Sequence, residues 1–203
     1  MDHLRRQLSA AALSLGAALG GLAACGGEGG TARAQPALVV DSILPRDEAL
    51  ARFRRSLPEV ARLQGGAPSA SALVERFVAA LARSDTAALR DLLLTRAEFA
   101  WLYFPTNPQG LPPYSLAPGL MWDMLTLEGG KGLRRALAEF GGRRLAYQGH
   151  SCDPAPSRQG RNAVTGPCVV DLTRDGDALA LRLFGLLIER DGVHKFVSYA
   201  NRL

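Results

Sequence analysis

Aromatic side chains make up only 6% of this 203-residue chain, and histidine and cysteine each occur three times. No run of basic residues reaches five, and the arginines are scattered. That spacing excludes the electrostatic footprint of a nucleic-acid binder. A Gly-rich phosphate loop, a nucleophile elbow and a close cysteine pair at metal-ligand spacing are all missing from the sequence, and with them the chemistries those motifs carry. What remains is ordinary globular usage, 47% hydrophobic and 21% charged, which excludes a disordered, collagen-like or polytopic membrane chain. The formal net charge of +5 falls to +4 without Asp2, Arg5 and Arg6. An excess of that size favours solubility and a mild attraction to anionic head groups.

What is present begins with a leader at residues 1–24. Arg5 and Arg6 precede an apolar stretch, residues 8–22, that is too short and too rich in glycine for a stable span. The stretch ends in Leu22-Ala23-Ala24-Cys25, which resembles the bacterial lipobox. The resemblance implies cleavage before Cys25, a thioether-linked diacylglycerol on its sulfur and acylation of its new amino group. Two or three acyl chains hold a protein on a bilayer, where one does so only marginally. The protein is then expected in the cell envelope, anchored on the extracytoplasmic side, with the membrane as a partner through the lipid on Cys25. A plain secretory cut with Cys25 incidental is the alternative. Residues 25–35 read as a flexible Gly/Ala-rich tether, 36–66 as an N-terminal extension with one helix, and 67–203 as the main domain.

With Cys25 assigned to lipid, Cys152 and Cys168 are left over in an oxidising compartment and are expected to pair. The bond closes a polar loop, Asp153 to Pro167, and a loop of about 15 residues stabilises by about 3 kcal/mol in the chain-entropy model. Two free thiols, or a metal site with His150 and His194, are the alternatives. The His-x-Cys spacing lacks a second close pair, so no metal and no cofactor is expected.

Hydrophobic periodicity predicts helices over 46–57, with Leu50 and Phe53 inward, and over 71–83, where Leu73, Val74, Phe77, Val78 and Leu81 recur at helical spacing. Ser84-Asp85-Thr86 caps a short helix ending near Leu94. Thr95 with Glu98 is a capping box, and Leu94 with Phe99 a hydrophobic staple. Pro105 stops that helix, and five prolines make 105–118 irregular, a rim or lid. Two further helices are predicted at 119–127 and 132–140. Strands follow at 144–149, 168–173, 179–190 and 193–200, with Asp175-Gly176 and Asp191-Gly192 as two-residue type I′ turns. Counting register from those turns puts Cys168, Val170, Leu172, Leu179, Leu181, Leu183, Leu187, Phe196 and Ala200 on the core face. Phe184, Leu186, Ile188, Lys195, Val197 and Tyr199 fall opposite. That apolar surface is too large to leave wet, and the 36–66 extension is expected to cover it.

Helices first and an antiparallel meander of about four strands after them make an α+β pattern. It resembles the cystatin-like cone of the NTF2-like superfamily over residues 69–203, where three helices pack on a curved sheet and enclose a pocket. The resemblance implies a fold that hosts isomerases, cyclases and non-catalytic scaffolds alike. An enzyme would draw its acid and base from Glu98, Asp123, His150, Glu189 and His194, facing a tyrosine. Each has a plainer role: Glu98 caps, Asp123 faces solvent, Glu189 and His194 pair across a hairpin, and His150 adjoins the disulfide. No catalytic residue is assigned. The concentrated aromatics mark a groove at Trp101, Tyr103, Tyr114, Trp122 and Asp123, with Arg134, Arg135, Arg143 and Arg144 as candidate flanks whose plainer role is solvated surface. The expectation is a monomeric, non-enzymatic envelope lipoprotein that binds a small apolar ligand or an envelope protein. A pocket enzyme and a sheet-mediated accessory subunit are the alternatives.

Overall fold

The computed structural model describes residues 44–153 and 155–203. The leader, Cys25, the tether and residues 36–43 of the extension lie outside the described residues. Helix α1 (Arg46–Arg54) buries Leu50. Helix α2 (Ala70–Ala82) starts where the Ser69 hydroxyl accepts the Ala72 N–H at 3.1 Å, and all five residues of the predicted stripe are buried. Asp85 caps α3 (Thr86–Asp91) in the same way at 2.9 Å. Thr95 and Glu98 form the expected capping box and open α4 (Arg96–Glu98). The backbone then loosens into a π-helical turn, Phe99–Tyr103, and two 3-10 turns, Phe104–Thr106 and Pro108–Gly110. Loosened turns leave carbonyls short of partners, and two arginines of α1 supply them. Arg54 Nη2 donates to the Ala100 carbonyl at 2.9 Å, and Arg46 donates to those of Pro105 and Gly110, both at 2.8 Å. Arg54 thus clamps the π-helical turn to α1.

The two helices predicted at 119–127 and 132–140 are one, α5 (Pro118–Phe140), 23 residues long. Gly129, Gly130 and Gly132 look like a break in the sequence because glycine disfavours helix interiors. For Gly132, and less tightly for Gly129, the reason is close packing on residues 198–201. A Cβ on Gly132 would lie 1.8 Å from the Tyr199 carbonyl oxygen, so only glycine lets α5 approach the C-terminal segment that far. Among the described residues no helix is long and apolar enough to cross a membrane.

The fold is α+β, with seven antiparallel strands in two sheets among the described residues rather than one sheet of about four. β1 (Leu145–Cys152), β4 (Cys168–Arg174) and β5 (Asp177–Leu181) form the first, in the order β1-β4-β5. β2 (Ser157–Gln159), β3 (Asn162–Thr165), β6 (Leu187–Arg190) and β7 (Val193–Phe196) form the second, in the order β2-β3-β6-β7. Both Asp-Gly turns are where the sequence puts them, with positive φ at all four residues. Cys152 and Cys168 are disulfide-bonded directly across the β1–β4 ladder. The loop they close contains the β2–β3 hairpin, so the bond pins the place where the chain leaves one sheet for the other. Ser157-Arg158-Gln159 carries no apolar alternation, which is why β2 does not announce itself.

The predicted strand over 179–190 is interrupted at 182–186, where the chain crosses between sheets. Period-2 counting holds only along an unbroken strand, so the expected faces need correcting beyond it. Phe184 and Tyr199 join Leu187, Phe196, Cys168, Val170 and Leu172 in a first core beneath α2, instead of lying opposite it. Ile188 and Val197 do lie on the other side. There they enter a second core with Phe99, Tyr103 and Phe104, and Leu50 and Leu63 of the N-terminal extension pack among them. The middle of the second sheet, at Leu187, Ile188, Lys195 and Phe196, is therefore buried on both faces.

Candidate functional site

A groove of about 440 Å³ runs between α5 and the segment linking α3 to α4. Leu93 and Leu94 make one wall, Trp122, Leu125 and Leu133 the other, and Val197 to Tyr199 the floor. Each part is fixed by a specific bond. The Leu93–Leu94 wall is stitched to β7, with Phe196 N–H donating to Leu92 O and Leu94 N–H to Phe196 O, both at 2.9 Å. The Tyr199 hydroxyl donates to the Leu89 carbonyl at 2.6 Å, and burial pushes its pKa well above the ordinary phenol value. Asn201 Nδ2 donates to the carbonyls of Gly132 and Leu183, tying the C-terminal segment to α5. Trp122 rests against Phe99 with ring centroids 5.2 Å apart. Arg90 and Arg96 line the groove's edge. Arg134 lies next to the groove wall on α5, its Nη1 3.6 Å from where a Cβ on the lining residue Gly130 would stand. No aspartate or glutamate lines the groove.

Of the five residues picked out in sequence, only Trp122 lies in this groove. Trp101 is half-buried under the Arg54 guanidinium, 4.0 Å from its ring centroid. Tyr103 is in the second core, where burial pushes its hydroxyl pKa up to about 12, opposed by Asn107. Tyr114 is 68% exposed and Asp123 faces solvent on α5. Sequence reasoning missed Arg90, Leu93, Leu133 and the glycines. The glycine cluster inside a helical pattern was the available signal, since such glycines mark close packing.

A second cleft, about 450 Å³, lies between the two sheets beside the disulfide. It brings together His150, Glu189 and His194, with Arg158 at its side. Glu189 and His194 are the cross-strand pair expected at the Asp191-Gly192 turn, but both are half-buried instead of exposed. His150 Nδ1 lies 2.7 Å from the Tyr147 hydroxyl. Burial lowers the pKa of both imidazoles, against the opposing pull of Asp171 on His150 and of Glu189 on His194. Neutral imidazoles are competent proton acceptors. Among the described residues no three ligating side chains converge as a metal site.

Glu98, the capping carboxylate, is also half of a buried ion pair. Its Oε2 accepts from Lys195 Nζ at 2.9 Å and from the Thr95 N–H at 2.7 Å, and its Oε1 accepts the Gln64 N–H at 2.7 Å. Both side chains are 2% exposed. Such a carboxylate is structurally committed, and no cavity faces it.

Compared with protein-family models, with curated proteins and with solved structures, the chain has no match.

Proposed function

We propose that this chain is a lipid-anchored envelope protein whose domain binds a small apolar ligand in the α5 groove without transforming it. The groove carries the reading: a preformed concavity of a few hundred cubic ångströms with apolar walls is the usual form of a small-molecule site. The Leu22-Ala23-Ala24-Cys25 tetrapeptide supports the anchor. The groove wall offers no acid or base, and the buried carboxylate, Glu98, is spent on Lys195 and two backbone amides. The order of elements suits an NTF2-like scaffold used for binding. Ile188 and Val197, the face on which a sheet-mediated dimer would form, are buried within the chain, which favours a monomer.

Two measurements test this. Cys25→Ser is expected to move the protein out of the membrane fraction and abolish palmitate labelling; a variant that still labels and sediments with membranes refutes the anchor. The full chain is expected to enhance the fluorescence of N-phenyl-1-naphthylamine, a neutral apolar probe, and Gly130→Leu to abolish the enhancement by filling the groove. Leucine is a better helix former than glycine, so the variant keeps its fold, and unaltered probe binding removes the groove from the argument. A second reading, acid–base chemistry in the inter-sheet cleft, is favoured by His150, Glu189 and His194 lining the same cleft.

A further inference from the structure

We infer that the ligand of the α5 groove is a single-chain amphiphile with a carboxylate head, a free fatty acid, held by Arg90, Arg96 and Arg134. The inference rests on the binding reading above and adds the chemistry of the head group. Three observations lead to it. Arg90 and Arg96 line the groove and the Arg134 guanidinium lies beside Gly130 of its wall, and among the described residues none of the three is within ion-pair distance of a carboxylate. Arg96 has only the Phe53 ring beneath it, at 4.6 Å. The inter-sheet cleft, by contrast, carries Glu189.

Two hydroxyl groups of the groove lining are already engaged. The Thr126 hydroxyl donates to the Trp122 carbonyl at 2.9 Å, and the Thr95 hydroxyl accepts the Glu98 N–H at 3.1 Å. The charged groups at the groove are arginines, which match a planar carboxylate bidentately. The capping box also consumes the Thr95 and Glu98 N–H groups that a phosphate would need at the start of α4. The long apolar walls meanwhile demand a hydrocarbon, and about 440 Å³ is room for one chain. Cationic rim and apolar trough together describe a fatty-acid carboxylate better than a neutral lipid or a small inorganic anion.

The test is displacement of bound N-phenyl-1-naphthylamine from the full chain by dodecanoate and by dodecanol at neutral pH. The two displacers share a chain and differ in charge. Dodecanoate is expected to act at about tenfold lower concentration, the factor that one charge-assisted contact supplies. Raising the ionic strength narrows the gap, because rim charges are screened, and Arg90→Gln/Arg96→Gln/Arg134→Gln closes it. Equal potency of the two displacers, or a preference indifferent to salt, overturns this inference and leaves apolar binding standing. Failure of the probe to bind at all overturns the binding reading and this inference together.

Discussion

Lys195 illustrates how a single side chain is paid for at a distance. It sits opposite Ile188 in the β6–β7 ladder, on a face otherwise apolar, and its ammonium group is fully enclosed. Desolvating an ammonium and a carboxylate is expensive, and their attraction offsets it only when every remaining polar group is satisfied. Here they are. Lys195 Nζ also donates to the Gln64 carbonyl at 2.9 Å, while Gln64 N–H returns a bond to Glu98, so one residue of the extension serves both ions. Lys195→Met leaves a buried carboxylate without its cation and is expected to cost about 3–5 kcal/mol in urea unfolding. Glu98→Gln/Lys195→Met removes both charges and should cost less than Lys195→Met alone. A loss below about 1 kcal/mol for Lys195→Met is the behaviour of a surface pair and contradicts the enclosure described here.

Among the elements, α5 makes the strongest test because its glycines argue against it locally. Gly132→Ala improves helix propensity by about 1 kcal/mol, yet its methyl would meet the Tyr199 carbonyl, and overpacking of that kind costs about 1–3 kcal/mol. Gly119→Ala has nothing within 4 Å of its new Cβ and should stabilise by up to about 1 kcal/mol. Gly132→Ala is expected to gain nothing or to destabilise, and Gly119→Ala to stabilise, in thermal or urea unfolding; a Gly132→Ala that stabilises as Gly119→Ala does contradicts the close approach of α5 to Tyr199. The same contrast explains what the sequence discloses. The α2 stripe, the Thr95–Glu98 box and the two Asp-Gly turns rest on neighbours within a few residues, and all are legible. The disulfide follows from counting cysteines. The continuity of α5 is hidden because its cause, Tyr199, is far along the chain. Lys195 looks like any strand lysine because Glu98 is 97 residues away. The groove is made by the segment linking α3 to α4, by α5 and by the residues after β7 together, so of the aromatics singled out only Trp122 belongs to it.

For the whole molecule, the question is what holds the second sheet inside. Its outer strand, β7, has an edge that would otherwise offer unpaired backbone groups to another chain. Ala67 closes one end of that edge, exchanging bonds with His194 at 3.0 and 2.8 Å, and Leu92 and Leu94 close the other through Phe196. On the face of the same sheet, Leu50 and Leu63 cover Ile188 and Val197, with Phe53 and Val60 packed beside them. Gln64 supplies the two bonds that the Lys195–Glu98 pair requires. The residues before α2 thus perform three tasks at once: they close an edge, cover an apolar face and complete a buried ion pair. A chain beginning at Ser69 loses all three and keeps only the Leu92–Leu94 contact on β7. It is expected to self-associate and to bind a hydrophobic dye, whereas a chain comprising 36–203 stays monomeric in light scattering. If both chains scatter alike as monomers, the extension is a stalk and the second core does not depend on it. If the longer chain is itself a dimer, the sheet or its surroundings form an interface, and the accessory-subunit alternative gains over a monomeric binding protein.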